Sequence, residues 1–417
     1  MDHDPNGPAG VPVLAAVLPP EPPVADAFVR RFVIEPTAPG PLRGASFAVK
    51  DLIDVAGWPT ACGNPSWRAT HPAPAEHAAV VRRLLDAGAR LEGKTCTDEL
   101  AYSLEGCNFH EGAPLNPAAP SRFTGGSSSG AASAVAAHEV DFAVGTDTAG
   151  SVRVPAAWCG LIGFRPTHGR VSVHGLTALA PDFDTVGWLA RSGPLMRDIG
   201  AVLLDAGAAL DRVDGDPVAR DPVAFAYDPA LDARGPVTDA QVGPAADAAR
   251  RLDRLCPDLR ALSLGIDWAA MAESLRVLQA AQVWRTHGAW IDRERPHFGP
   301  GIAERFAAAR TIGADQVQHA ERQRAALIAR LDEVLPPGRF LRLPAVPGPA
   351  PSRDATVAER QRMRSLLLPL TALASLTGRP QLALPLGQVG GAPVGISLLG
   401  WRHGDEALLR IAAEALP

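Results

Sequence analysis

Two periodicities divide the chain: short alternating or continuous apolar runs predict strands, and apolar positions recurring every three to four residues predict helices. After proline-rich entry segments, residues 25–32 read as a helix, and GASFAVKDLIDVAGW at 44–58 reads as a strand, a turn and a second strand. Lys50 falls at the end of the first of these strands. Residues 75–89 carry apolar positions at helical spacing, with Gly88 near the C-cap, and ARLEGKTC at 89–96 reads as a strand carrying Lys94. AASAVAAHE is a run of good helix formers and VDFAVGT a buried strand, whereas residues 164–191 read as a turn-rich segment folding over its neighbours.

Beyond Pro194 the chain turns rich in Ala, Arg and Asp, with helices expected at 238–256, 268–284, 302–310 and 314–335. Strands return at 339–346, 380–385 and 394–399, before a last helix at 405–415. Helices alternating with short strands point to the α/β class, built as one large domain around one central sheet. Within it we distinguish a proline-rich entry (1–40), a core (41–195), a mainly helical part (196–338) and a return to the sheet (339–417).

Composition narrows the function. The 417 residues are 47% hydrophobic and 20% charged, enough for a large core, and the net charge of −5 supplies no basic field for nucleic acid. No apolar stretch is long enough to span a membrane, and the first residues place acid where a signal peptide needs base. These features predict a cytoplasmic protein acting on a small molecule. Five scattered cysteines (62, 96, 107, 159, 256) form no CxxC pair, and eleven histidines form no HExxH, so neither a disulfide framework nor a metal centre is expected.

Lysine is nearly absent. Of 40 Lys and Arg residues only Lys50 and Lys94 are lysines, leaving 38 arginines. Arginine serves a solvated surface but keeps its proton near neutral pH, whereas a buried lysine can become a neutral base. The two survivors are therefore candidates for chemistry.

Hydroxyl groups and glycines concentrate between Gly125 and Thr167, where GGSSSG opens and TDTAGSVR closes a helix-and-strand unit. Small residues let a backbone approach a ligand closely. A flexible linker would not feed straight into a helix and a strand, and a phosphate loop needs GK[ST] where Gly130 is followed by Ala131. Gly126, Ser128 and Gly130 match a G-x-S-x-G elbow, with Ser128 as nucleophile and His403 as partner, but that motif requires a preceding strand and NPAAPSRFTG reads as a loop. FAVK resembles a kinase strand, yet no glycine loop precedes it.

FAVKD at 47–51, GGSSSG, GTDTAGSVRVPAAWCG and GFRPTHGRVS occur in the order of the amidase signature family, which the chain resembles over most of its length. A looser match returns in LPLGQVGGAPVGISLLG. The stretches CGNPSW and FDTVGWLAR look most like the short indole-3-acetamide amidases of plants and their bacterial relatives. The resemblance implies a mixed, twisted β-sheet covered by helices and a serine hydrolase with no cofactor. Lys50 is then the base, Ser127 a bridging serine after a cis peptide bond and Ser151 the nucleophile, 24 residues further on. Backbone N–H groups of Thr148, Ala149, Gly150 and Ser151 would form the oxyanion hole. Ala149 stands where most relatives have glycine.

By the same resemblance Ala101, Tyr102 and Ser103 match a substrate-facing segment, with Gly125 and Gly126 beside them, Tyr102 either lining the acyl pocket or packing in the core. Ser128, Asp147 and Arg153 support the site, Asp147 and Arg153 as a structural pair, and Lys94 is structural. The expected substrate is a small aryl or alkyl amide, indole-3-acetamide among the candidates, with a homodimer compatible with the reading. A non-catalytic docking module of the same fold is the competing class.

Overall fold

The computed structural model describes residues 24–204, 224–234, 252–254 and 259–417. Its centre is an eleven-stranded mixed sheet. In chain order the strands are β1 (Phe28–Ile34), β2 (Ser46–Lys50), β3 (Arg90–Thr95), β4 (Phe142–Asp147), β5 (Ile162–Arg165) and β6 (Thr185–Ala190). They continue as β7 (Ala224–Tyr227), β8 (Arg260–Ala261), β9 (Arg339–Pro344), β10 (Gln381–Leu384) and β11 (Ile396–Leu399). The spatial order is β8-β7-β9-β11-β10-β5-β6-β4-β2-β3-β1.

Hydrophobic clusters cover both faces. Phe47, Val49, Phe142 and Val144 point to one, with Leu84 and Leu85 of helix Ala79–Asp86. Ala48 and Ala143 point to the other, against Ala131, Ala132 and Val135 of helix Ser129–Ala136. Period-two alternation along the strands produces this division. Small side chains on the second face let that helix lie close to the sheet, which brings its first residues to the C-terminal ends of β2 and β4. These two strands are parallel neighbours, Val49 pairing with Val144. In α/β sheets ligands collect beyond the carboxyl ends of such strands.

Several expectations hold: helices Ile302–Arg310 and Asp405–Ala415 span the expected residues, and helices Trp268–Glu294 and Ala314–Val334 begin where expected. Others are corrected. Residues 25–32 are not helical but enter β1, where Asp26 accepts the amide proton of Phe28 at 3.0 Å at the start of a strand whose FVRRFVI alternates in burial. No second strand follows Lys50: the amides of Leu52 and Ile53 both fold back onto its carbonyl, leaving isolated bridges at Ile53 and Val55. The segment 164–191 is less a cover than expected, because its two ends lie in β5 and β6 at the heart of the sheet.

The largest omission is helix Val357–Thr377, which carries Pro369 inside it. Proline removes a backbone donor and breaks the pattern by which a helix is read. A capping box, Thr356 with Glu359, marked its start, and Gly378 at φ +65° ends it. The helix expected at 238–256, and Cys256 with it, lies outside the described residues apart from 252–254.

Candidate active site

Lys50 ends β2 with none of its surface exposed. Its Nζ donates to Ser127 Oγ at 2.6 Å and to Thr146 Oγ1 at 2.8 Å. Thr146 comes from the adjacent end of β4 and was not singled out in the sequence, where threonine at a strand end carries no distinguishing signal. Burial pushes the Lys50 amine down to about 7, against the opposing charges of Asp98, Asp147 and Asp184. Near neutral pH a large share of it is therefore an uncharged amine.

The peptide between Gly126 and Ser127 is cis. The Ser127 carbonyl accepts the Asp98 amide proton at 3.1 Å and the Thr97 hydroxyl proton at 3.0 Å. One residue on, the Ser128 amide donates to the Ser151 carbonyl at 3.2 Å, so the two glycine-rich loops are joined by backbone. Ser127 is wholly buried and Ser151 nearly so. Ser128 Oγ turns away to the Thr146 carbonyl at 3.3 Å. Residues 115–127 contain no strand, so the elbow's structural requirement is not met. His403 follows a separate loop, its amide held by Thr167.

Asp147, at the end of β4, organises the second loop. Its carboxylate meets Arg153 Nη2 at 2.8 Å, Arg153 Nε at 2.9 Å and Arg165 Nη1 at 3.0 Å, all three side chains buried. Burial alone would raise the Asp147 carboxyl, but the two guanidinium groups overcome it and hold the group well below the usual carboxylate range. The remaining Arg153 donors reach Thr371 O at 3.0 Å and Gln381 Oε1 at 2.5 Å, tying the loop to helix Val357–Thr377 and to β10.

Asp147 also accepts the Gly150 amide proton at 2.9 Å and the Val152 amide proton at 3.1 Å. Gly150 N–H, expected to serve the oxyanion hole, thus donates to a carboxylate in this structure. Among the described residues the amides of Ala149 and Ser151 have no such partner. The left-handed backbone of this turn falls on Gly150, at φ +122°, and not on Ala149, which accounts for the methyl group being tolerated at 149. Thr148 Oγ1 donates to Asp184 Oδ1 at 2.7 Å.

Ala101, Tyr102 and Ser103 lie on and after the short turn Glu99–Ala101, with Leu100 at φ +46° and Ala101 at φ +56°. This segment touches the first loop, since the Leu104 carbonyl accepts the Gly126 amide proton at 3.0 Å. The Tyr102 ring meets Phe306 edge-on at 5.3 Å, opening a chain of aromatic contacts through Phe298, His287, Trp67 and Trp290. Burial holds the His287 imidazole down to about 4, opposed by the Ala178 carbonyl, and neither ring nitrogen has a well-formed hydrogen bond. Its helix is fixed by Gln282, which exchanges bonds with Asp182 two residues from Asp184. Aromatic residues from positions 67 to 306 thus meet beside the turn, a clustering that no sequence spacing announces.

Lys94 is paired with Asp51 at 2.7 Å and donates to Thr60 at 2.7 Å, both ends of the ion pair buried. Among the described residues no cluster of His, Cys, Asp and Glu is arranged to hold a metal ion, and no helix is long and apolar enough to cross a membrane.

Comparison with known proteins identifies the family. Residues 31–219 match the family described as Amidase. The chain is 38% identical to Amidase 1 of Arabidopsis thaliana over 94% of its own length and 97% of that protein. It is 33% identical to Translocon at the outer membrane of chloroplasts 64 of Pisum sativum, over 90% of this chain and 66% of that one. Among solved structures, one described as the crystal structure of amidase superposes with a TM-score of 0.76 at 31% identity, over 90% of this chain and 85% of the other.

Proposed function

The chain belongs to the amidase signature family of amide hydrolases, and from that premise we propose that it cleaves a small carboxylic amide through an acyl-enzyme on Ser151. The observation that carries the reading is the 2.6 Å contact between the buried Lys50 amine and Ser127 Oγ. A neutral amine there takes the Ser127 proton while Ser127 takes that of Ser151, whose oxygen then attacks the amide carbon. Thr146, the second partner of Lys50, holds the amine in line. The tetrahedral oxyanion is received by amides of Thr148, Ala149 and Ser151 in a loop held rigid by Asp147. As the C–N bond breaks, the relay returns the proton to the departing nitrogen, releasing ammonia or an amine. Water activated by the same relay frees the acid.

The acyl group in this reading is aryl or arylalkyl, with indole-3-acetamide a representative. Support comes from the aromatic side chains of Tyr102, Phe306, His287 and Trp67, contiguous with the turn that touches Gly126. A cytoplasmic location belongs to the same reading and is checked by fractionation.

The test is ammonia release from indole-3-acetamide, phenylacetamide and benzamide, paired with fluorophosphonate labelling and peptide mapping. Hydrolysis with the label on Ser151, both abolished in Ser151→Ala, is the expected result. A label on Ser128 would restore the elbow, and silence across a broad amide panel would make the chain a docking module.

A further inference from the structure

We propose that Asp98 is a positioning residue for this reaction, its carboxylate packed on the Gly126–Ser127 peptide and serving as the counter-charge that keeps Lys50 within reach of a proton. The inference rests on the reading of Lys50 as the base and extends it to a residue outside the Lys50, Ser127 and Ser151 relay.

Asp98 is buried without exposure and touches both residues of the Gly126–Ser127 peptide. Its amide holds the Ser127 carbonyl at 3.1 Å, and its carboxylate lies so close to Gly126 that a Cβ there would collide with Asp98 Oδ2. One carboxylate oxygen, Oδ2, accepts the amide protons of Glu105 and Gly106, each at 3.0 Å. The other, Oδ1, has no well-formed hydrogen bond among the described residues. A buried carboxylate with a poorly bonded oxygen is costly unless a charge nearby compensates it.

Lys50 touches the hydroxyls of Ser127 and Thr146, and the groups whose charge acts on it include Asp98, Asp147, Asp184 and Cys62. They are not equivalent. Asp147 is already neutralised by Arg153 and Arg165. Asp184 is saturated by Thr148, by the amides of Leu179 and Ala180, and by the field of Arg165. Burial raises the Cys62 thiol and keeps it uncharged. Asp98 forms no ion pair among the described residues, and the charge of Lys50 lowers its carboxyl, while the amine and the Asp98 amide both hold Ser127. Burial lifts its carboxyl to about 6, against the Gly106 amide and the Ser103 hydroxyl and with the Glu105 charge adding to the rise, so amine and carboxyl titrate in adjoining ranges.

The experiment compares the pH dependence of kcat/KM in the parent, Asp98→Asn and Thr97→Val. Asparagine can offer its carbonyl to Glu105 and Gly106 and turn its amide to the side where Oδ1 has no well-formed hydrogen bond. Removing the negative charge leaves Lys50 harder to protonate, so the acid limb should move down by about one pH unit. Thr97→Val loosens the same Ser127 carbonyl without touching charge; it should slow turnover and leave the limb in place. An unmoved or raised limb in Asp98→Asn overturns the proposal. Coupling is reciprocal, so ¹³C NMR of the Asp98 carboxyl in the parent and in Lys50→Met gives a second reading that needs neither a folded Asp98 variant nor a substrate. The titration should move up in Lys50→Met; an unchanged titration sinks the proposal, whereas absence of amide turnover would fall on the proposed function alone.

Discussion

Asp147 accepts the amide proton of Gly150, three residues further on, at 2.9 Å, and this bond shapes the turn that delivers Ser151. The turn reaches its form through a left-handed residue at Gly150, where an added methyl would also lie 2.7 Å from Thr371 Cγ2.

Gly150→Ala should therefore displace Ser151 and lower kcat/KM by about a hundredfold or more, the scale on which a misplacement near 1 Å is felt. Ala149→Gly, where no left-handed backbone is present, should cost less than about 1 kcal/mol of stability. Steady-state kinetics and thermal melts on the two variants distinguish the positions; equal tolerance at both would contradict the turn geometry.

Only the neutral form of Lys50 can accept a proton, so kcat/KM should fall roughly tenfold per unit as pH drops below about 7. Lys50→Met should lose about 10²- to 10⁴-fold, and Lys50→Arg should not recover it, because guanidinium stays charged. Stability falls with pH in the same direction, but over a higher window. A lysine whose folded range lies below its free value near 10.5 costs stability increasingly as pH falls from there to about 7. At pH 7 Lys50→Met should melt no lower than the parent, and a clear drop in melting temperature would argue that Lys50 supports the fold instead.

Arg153→Ala would leave the buried Asp147 with Arg165 as its remaining guanidinium partner and release helix Val357–Thr377 from the loop. Breaking one arm of a buried ion pair costs about 3 kcal/mol. Urea unfolding should show a loss of that order, accompanied by lower activity.

The aromatic cluster predicts a selective effect. Truncating Phe306 to Ala should raise KM for phenylacetamide about tenfold more than for propionamide, in line with the burial of one aromatic side chain. His287→Phe replaces a ring that has no well-formed hydrogen bond, so it should preserve or raise the melting temperature. Parallel KM changes for both amides would place the acyl group elsewhere.

Much of the architecture was readable along the chain where local forces decide it. The helix Asp405–Ala415, the strand ending in Lys50 and the small-residue loops before Ser127 and Ser151 depend on side-chain periodicity and on backbone clearance, both properties of neighbouring residues. Helix Val357–Thr377 was hidden by Pro369, and the residues entering β1 were misread as a helix although they pair with β3 in the sheet. In both cases packing against distant elements overrides a local signal.

The sequence by itself settled which residue types are available for the chemistry: two lysines, a handful of serines and the glycines around them. Tertiary structure alone decided that Thr146 shares Lys50, that Gly150 spends its amide on Asp147, and that the amide of Asp98 holds the carbonyl of Ser127. The physical reason is that donor commitment and charge depend on burial and on neighbours far along the chain, which are joined only when the strands close into one sheet.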